Sequence, residues 1–192
     1  QLLYGSTLGS GSLTAVEVFH GFSQEWGASS GDIIANVSGT ALYVSQELLW
    51  KEQRITPKFS FHQTKFASQR PETLGASFNE EILKDYNGQT YWLSFNVHSF
   101  TKDSFIPKWL NLAIGYSGEG MLYGNDAEAI ENGIIQNPYR QFYLSLDVDL
   151  TKISTKSHFL KTLFSVFNTI KIPAPTLQYD EYNGLKGHFI YF

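Results

Sequence analysis

The chain has 192 residues, 14 Lys and Arg against 18 Asp and Glu, and a formal net charge of −4. That length supports one substantial core, or two small subdomains sharing one, and the lack of a basic block excludes a surface built to neutralise a run of phosphates. Zero cysteine excludes disulfides and thiolate metal sites. Aromatics make up 16% and charged residues only 17%, against a usual charged share of roughly a quarter, which predicts a boundary with a membrane surface or a large interface.

Residues 1–54 read as a helical, membrane-associated portion. The chain opens at Gln1 with no basic segment followed by an apolar one, so any targeting segment is expected to have been removed or left out. No run reaches 18 consecutive apolar residues, which argues against a simple transmembrane helix. The nearest approach, Leu2 to Val18, carries Gly5, Ser6, Gly9, Ser10, Gly11 and Ser12, a density of small residues that permits close helix–helix contact or a frayed start. Ser29 or Ser30 can cap a helix beginning near Asp32 and ending at the charged Lys51-Glu52-Gln53-Arg54.

The polar residues of this stretch are its candidate site. Asp32, Asn36 and Gly39 fall at i, i+4 and i+7, so a helix places them on one face, and Glu17 stands upstream among small and apolar residues. Glu17 and His20 are three apart and can meet on a helix, and with Asp32 they form a candidate acid/base group, Glu25 lying close in sequence. Carboxylate-bridged metal sites in bundles need a second Glu-x-x-His pair, and none is present, so no metal and no cofactor is expected. Ser23 or Ser38 could act as a nucleophile with His20 and Asp32, but no G-x-S-x-G elbow accompanies them.

Residues 55–88 read as a connector interrupted by Pro57 and Pro71, with a short strand at 58–62 and a short helix opened by the capping-box spacing of Ser77 and Glu80. Residues 89–192 are strand-rich, and the whole is expected to fold as one cooperative domain. Tyr91, Leu93, Phe95 and Val97 alternate with polar residues, as do Leu110, Leu112, Ile114 and Tyr116, and Phe142, Leu144, Leu146 and Val148. Asp147 and Asp149 fall on the polar side of the last of these and are expected to be solvated. Gly115 to Gly120 reads as a turn between strands, since no Lys-Ser/Thr helix start follows to make it a phosphate cradle. An amphipathic helix at 159–170 precedes Pro173 and Pro175, and Asn183-Gly184 predicts a closing hairpin. His62, His98, His158 and His188 show no ligand spacing.

The fold class predicted is α+β, with N-terminal apolar helices packed with a mostly antiparallel sheet that is membrane-associated as a partial or helix-completed barrel. Five or six strands are fewer than the eight at which closed membrane barrels begin, and an open sheet does not expose its edges to lipid. The greasy faces therefore meet helices, a partner or the bilayer. The terminal Phe192, on an alternating strand, is similar to the recognition end of bacterial outer-membrane proteins.

The run at 25–54, E-W-G-A-S-S-G-D-I-I-A-N through G-T-A-L-Y-V-S-Q-E-L-L-W-K-E-Q-R, resembles a domain-of-unknown-function family of Bacteroidota cell-envelope proteins related to the YfiM-type periplasmic lipoproteins. The similarity extends through 70–72, 83–94, 107–116, 139–150 and 170–175. The spacing E…D-x-x-x-N-x-x-G over Glu17, Asp32, Asn36 and Gly39 also resembles, more distantly, the VanZ-like helical membrane families, where such residues line a helix pair. An upstream Asp-Lys…His helix usual in both groups is missing here. The resemblance implies an envelope location, at the outer membrane or its periplasmic side, and no activity. The functional expectation is a non-catalytic accessory protein docked on a larger outer-membrane protein, with lipid contact and no nucleic acid. The alternative is an envelope lipid-modifying enzyme using Glu17, His20 and Asp32.

Overall fold

The structure is a computed structural model that describes residues 30–102 and 105–192, with the backbone alone at 30–33 and 36. Two compact units divide the chain, 1–54 and 55–192. In the first, helix α1 (Ser30–Trp50) is closed by Gln46, whose side chain accepts from the Arg54 N–H at 2.9 Å and donates to Gln53 at 3.1 Å. These bonds tie the chain just past the helix back to its last turn and satisfy the Arg54 N–H. Arg54 lies over the Trp50 ring at 4.8 Å.

The second unit is one six-stranded antiparallel open sheet in strict chain order. Its strands are β1 (Ile55–Phe61), β2 (Gln89–Asn96), β3 (Leu110–Glu119), β4 (Tyr139–Val148), β5 (Ala174–Asp180) and β6 (Gly184–Tyr191). Short helices fill the connections: α2 (Pro71–Leu74), α3 (Phe78–Lys84), α4 (Val97–Thr101), α5 (Asp126–Glu131) and α6 (His158–Phe167). Asn96, Asn125 and Ser157 cap α4, α5 and α6 with their side-chain oxygens, each meeting a first-turn N–H that lacks an intrahelical partner. No described helix is long and apolar enough to cross a membrane.

Three expectations are corrected here. The short strand expected at 58–62 is a full sheet strand that starts already at Ile55 and ends at Phe61, and Pro57 is tolerated in it because β1 lies at the sheet edge. Residues 115–119 are strand too, and the chain leaves β3 only at Gly120, whose φ of 90° requires glycine. Asp147 and Asp149 are buried, not solvated. The predicted hairpin is present, but β5 stops at Asp180, whose carboxylate accepts from the N–H groups of Tyr182 and Asn183. Gly184 then starts β6 with φ 66°, a glycine placement common in three-residue hairpin loops.

The sheet is rolled. Lys58 on β1 touches Asp147 on β4 at 2.8 Å, although three strand spacings in a flat sheet amount to about 14 Å. Tyr191 on β6 stacks on Trp92 of β2 at 6.2 Å and lies 5.8 Å from the His62 ring just past β1. On its outer edge β1 exchanges backbone bonds with 169–171, Phe59 donating to Thr169 and Lys171 donating to Phe59.

Candidate functional site

Register fixes what each face of the sheet carries. The convex face is built from rows of apolar residues running across the strands. Phe59, Tyr91, Tyr116, Phe142 and Tyr179 stand side by side on β1 to β5. The next row is Pro57, Leu93, Ile114, Leu144 and Leu177, and beyond it come Ile55, Phe95, Leu112 and Leu146. No residue in these rows is charged. On β4 the first charge on this face is Arg140, two residues outside the aromatic row. The rows are open to the surroundings: Ile114 is 52% exposed and Phe142 49%. Phe159, Val166 and Phe167 of α6 are exposed as well.

The concave face is the reverse. Its positions are Lys58, Ser60, Thr90, Trp92, Ser94, Asn96, Asn111, Ala113, Ser117, Gln141, Tyr143, Ser145, Asp147, Thr176, Gln178 and Asp180, all buried. An ordinary soluble sheet buries its apolar side, so this one is inverted. Burial of so many polar groups is affordable because they bond to one another.

Two clusters organise this interior. At one end Lys58 and Asp147 form an ion pair with both side chains at 0% exposure. Lys58 also donates to the Val148 carbonyl at 2.8 Å and to Asn168 at 3.3 Å. Asp147 accepts from Ser94 at 2.6 Å and from the Ile172 N–H at 3.2 Å. Asn111 and Asn96 extend the chain from Ser94. Lys58 and Asp147 neutralise each other and use their remaining valences, the condition under which a buried pair survives desolvation. Lys171, buried beside them, donates to the Ile172 carbonyl at 2.7 Å and lies 5.0 Å from the Trp92 ring, and burial lowers its pKa to about 8.

At the other end a cavity of about 440 Å³ is lined by polar and aromatic side chains, among them His62, Glu119, Tyr143, Lys186, His188 and Tyr191. Tyr191 donates to Tyr143 at 2.8 Å and Tyr143 to Gln141 at 2.9 Å. Gln141 and Tyr139 both donate to Glu119, at 2.9 and 2.8 Å. His188 pairs with Gln178 at 2.7 Å. Nδ1 of His62 is buried without a hydrogen-bond partner. Burial lowers the His62 pKa from its ordinary 6.5, with Glu119 and Asp85 opposing the shift, so the site favours the neutral ring. Among the described residues no group of three or more His, Asp or Glu is placed to hold a metal ion.

Of the sequence-level candidates, Glu17, His20, Ser23 and Glu25 lie outside the described residues. Asp32, Asn36 and Gly39 fall within α1, where the spacing puts them on one helical face, and Ser38 is exposed on that helix. Lys58, Trp92, Tyr143 and Tyr191 were not singled out by sequence reasoning. Their one signal was parity: each sits at an inward position of an alternating run. No family model matches the chain, and no curated protein or solved structure does either.

Proposed function

We propose that this chain is a non-catalytic structural subunit embedded in the bacterial outer envelope, its convex face against lipid and one sheet edge against a larger outer-membrane protein. The observation that carries this reading is the inverted sheet: charge-free apolar rows outside, a bonded polar interior within. Membrane β-proteins alternate apolar-out and polar-in and set aromatic girdles at the rims of the apolar band. The row from Phe59 to Tyr179 matches such a girdle, with aliphatic rows beneath it. β3 and β4 have 10 residues each, within the span of about 9–11 that a tilted strand needs to cross. In water the same face would be a far larger apolar patch than monomeric proteins usually show. An open sheet in hydrocarbon leaves edge N–H and C=O groups without partners, so a subunit fits better than a free-standing protein. The resemblance to cell-envelope proteins points to the same compartment.

The test uses the absence of cysteine. Leu144→Cys and Ser145→Cys, each labelled with an environment-sensitive dye, are reconstituted into vesicles containing brominated phospholipids. The outward Leu144 position is expected to be quenched and the inward Ser145 position spared. Equal quenching at both, or a monodisperse monomer in detergent-free buffer that does not partition into vesicles, would overturn the reading.

A further inference from the structure

We infer that the outer edge of β6 receives a strand from a different protein, with a carboxylate facing the sheet interior and a bulky apolar side chain facing outward; this deepens the subunit reading above and rests on it. The two sheet edges are not alike. β1 has its outer backbone groups engaged by 169–171. β6 takes no hydrogen bond on its outer side from any described residue, its backbone pairing being with β5 alone. The alternation of burial that holds in β2 to β5 fades here: Leu185 is 71% and Phe189 88% exposed, and the inward Lys186 is exposed as well. Both the interior and the convex face are thus open on this side, as they would be where a neighbouring strand is due.

The chemistry of the missing neighbour follows from what β6 presents. Lys186 and His188 point inward, opposite Gln178 and Thr176 of β5. Lys186 has no ion pair with a described residue; a strand laid against β6 would cover its exposed ammonium, and an ammonium so buried needs a carboxylate. A second copy would not supply it. β6 carries no Asp or Glu, so antiparallel self-pairing brings a second Lys186 to this face and no carboxylate. On the convex face Gly187 interrupts the apolar row that ends with Leu144 and Leu177. The notch is an apolar groove of about 280 Å³ floored by Leu112, Leu144, Leu146, Pro175 and Leu177. A large side chain on the incoming strand, laid across this glycine, fills it as aromatic residues do beside glycine in paired strands.

The full chain in detergent micelles is mixed with synthetic peptides of about ten residues, the length of a membrane strand. They alternate apolar and polar residues, with Phe outward and either Glu or Lys at the central inward position. Hydrogen exchange read by mass spectrometry is expected to show the Glu peptide slowing the amides of 184–191 by about tenfold, with the Lys peptide having no effect. Lys186→Glu is expected to reverse that preference. Gly187→Phe places its own ring in the notch, and a Cβ there meets only Leu177 at 4.0 Å, so the fold is kept and the Glu peptide is weakened. Protection that ignores the peptide's charge would overturn the inference. So would protection, in the free chain, of those β6 amides that are not bonded to β5, or a dimer by light scattering. Strand addition is read in micelles and insertion by lipid quenching, so failure of one is seen apart from failure of the other.

Discussion

At the scale of single residues, the interior ion pair and the half-buried histidine make opposite kinds of prediction. Asp147→Ala leaves the Lys58 ammonium buried with only carbonyl and amide partners. Losing one partner of a buried pair costs about 3–5 kcal/mol, and denaturant unfolding in micelles should show it. Replacing both together, Lys58→Met with Asp147→Leu, should cost less than the two single changes summed, because neither member of the pair is then left facing a missing partner. His62 is governed by its lowered pKa. The unfolded imidazole binds a proton more readily than the folded one, so His62 contributes its full stability above its ordinary pKa of 6.5. That contribution falls as pH drops below 6.5 toward the folded value. The unfolding midpoint of the native chain should therefore decline through this window more steeply than that of His62→Gln, and equal slopes would contradict the burial described.

Among the elements, the strands show what alternation decides and what it leaves open. Period-2 runs at 91–97, 110–116 and 142–148 mark strands whatever surrounds them, and the structure has β2, β3 and β4 there. Alternation sorts residues into two faces but does not say which lies inside; that depends on the roll of the sheet, set by contacts such as Lys58 with Asp147 that join distant strands. Asp147 and Asp149 therefore read as solvated when their face is the buried one. The strand at Ile55–Phe61 reads in the sequence only from 58 because of Pro57, since edge position is a property of the sheet and not of the segment. The candidate cavity was least legible, because its lining comes from β3, β4, β5, β6 and the end of β1, and no local window holds them together. Packing within an element is still testable. A Cβ on Gly115 would stand 2.6 Å from the Trp92 ring of the neighbouring strand, so Gly115→Ala should destabilise by about 1–3 kcal/mol through overpacking. Thermal unfolding of that variant beside Gly187→Ala, which meets no close neighbour, separates the clash from any general effect of losing a glycine.

For the molecule as a whole, the sign of one substitution distinguishes lipid from water around the sheet. Ile114→Arg puts a charge in the middle of the convex rows. In hydrocarbon it should cost about 2–4 kcal/mol near the midplane and lower the fraction that inserts into vesicles; in water it would raise solubility and leave folding intact. A flotation assay on native chain and variant reads the difference directly. The chain-order topology has a consequence for assembly as well. Each strand pairs only with those just before and after it in sequence, so most pairing contacts are local and loop closure is inexpensive at every step. Such a sheet can grow like a zip from its early strands, so that β6, the last of the six in sequence, adds to a template the other five have already built. On the strand-addition proposal, the outer edge of β6 becomes available to a neighbour only once the five strands before it are in place, so docking would report that this sheet is complete.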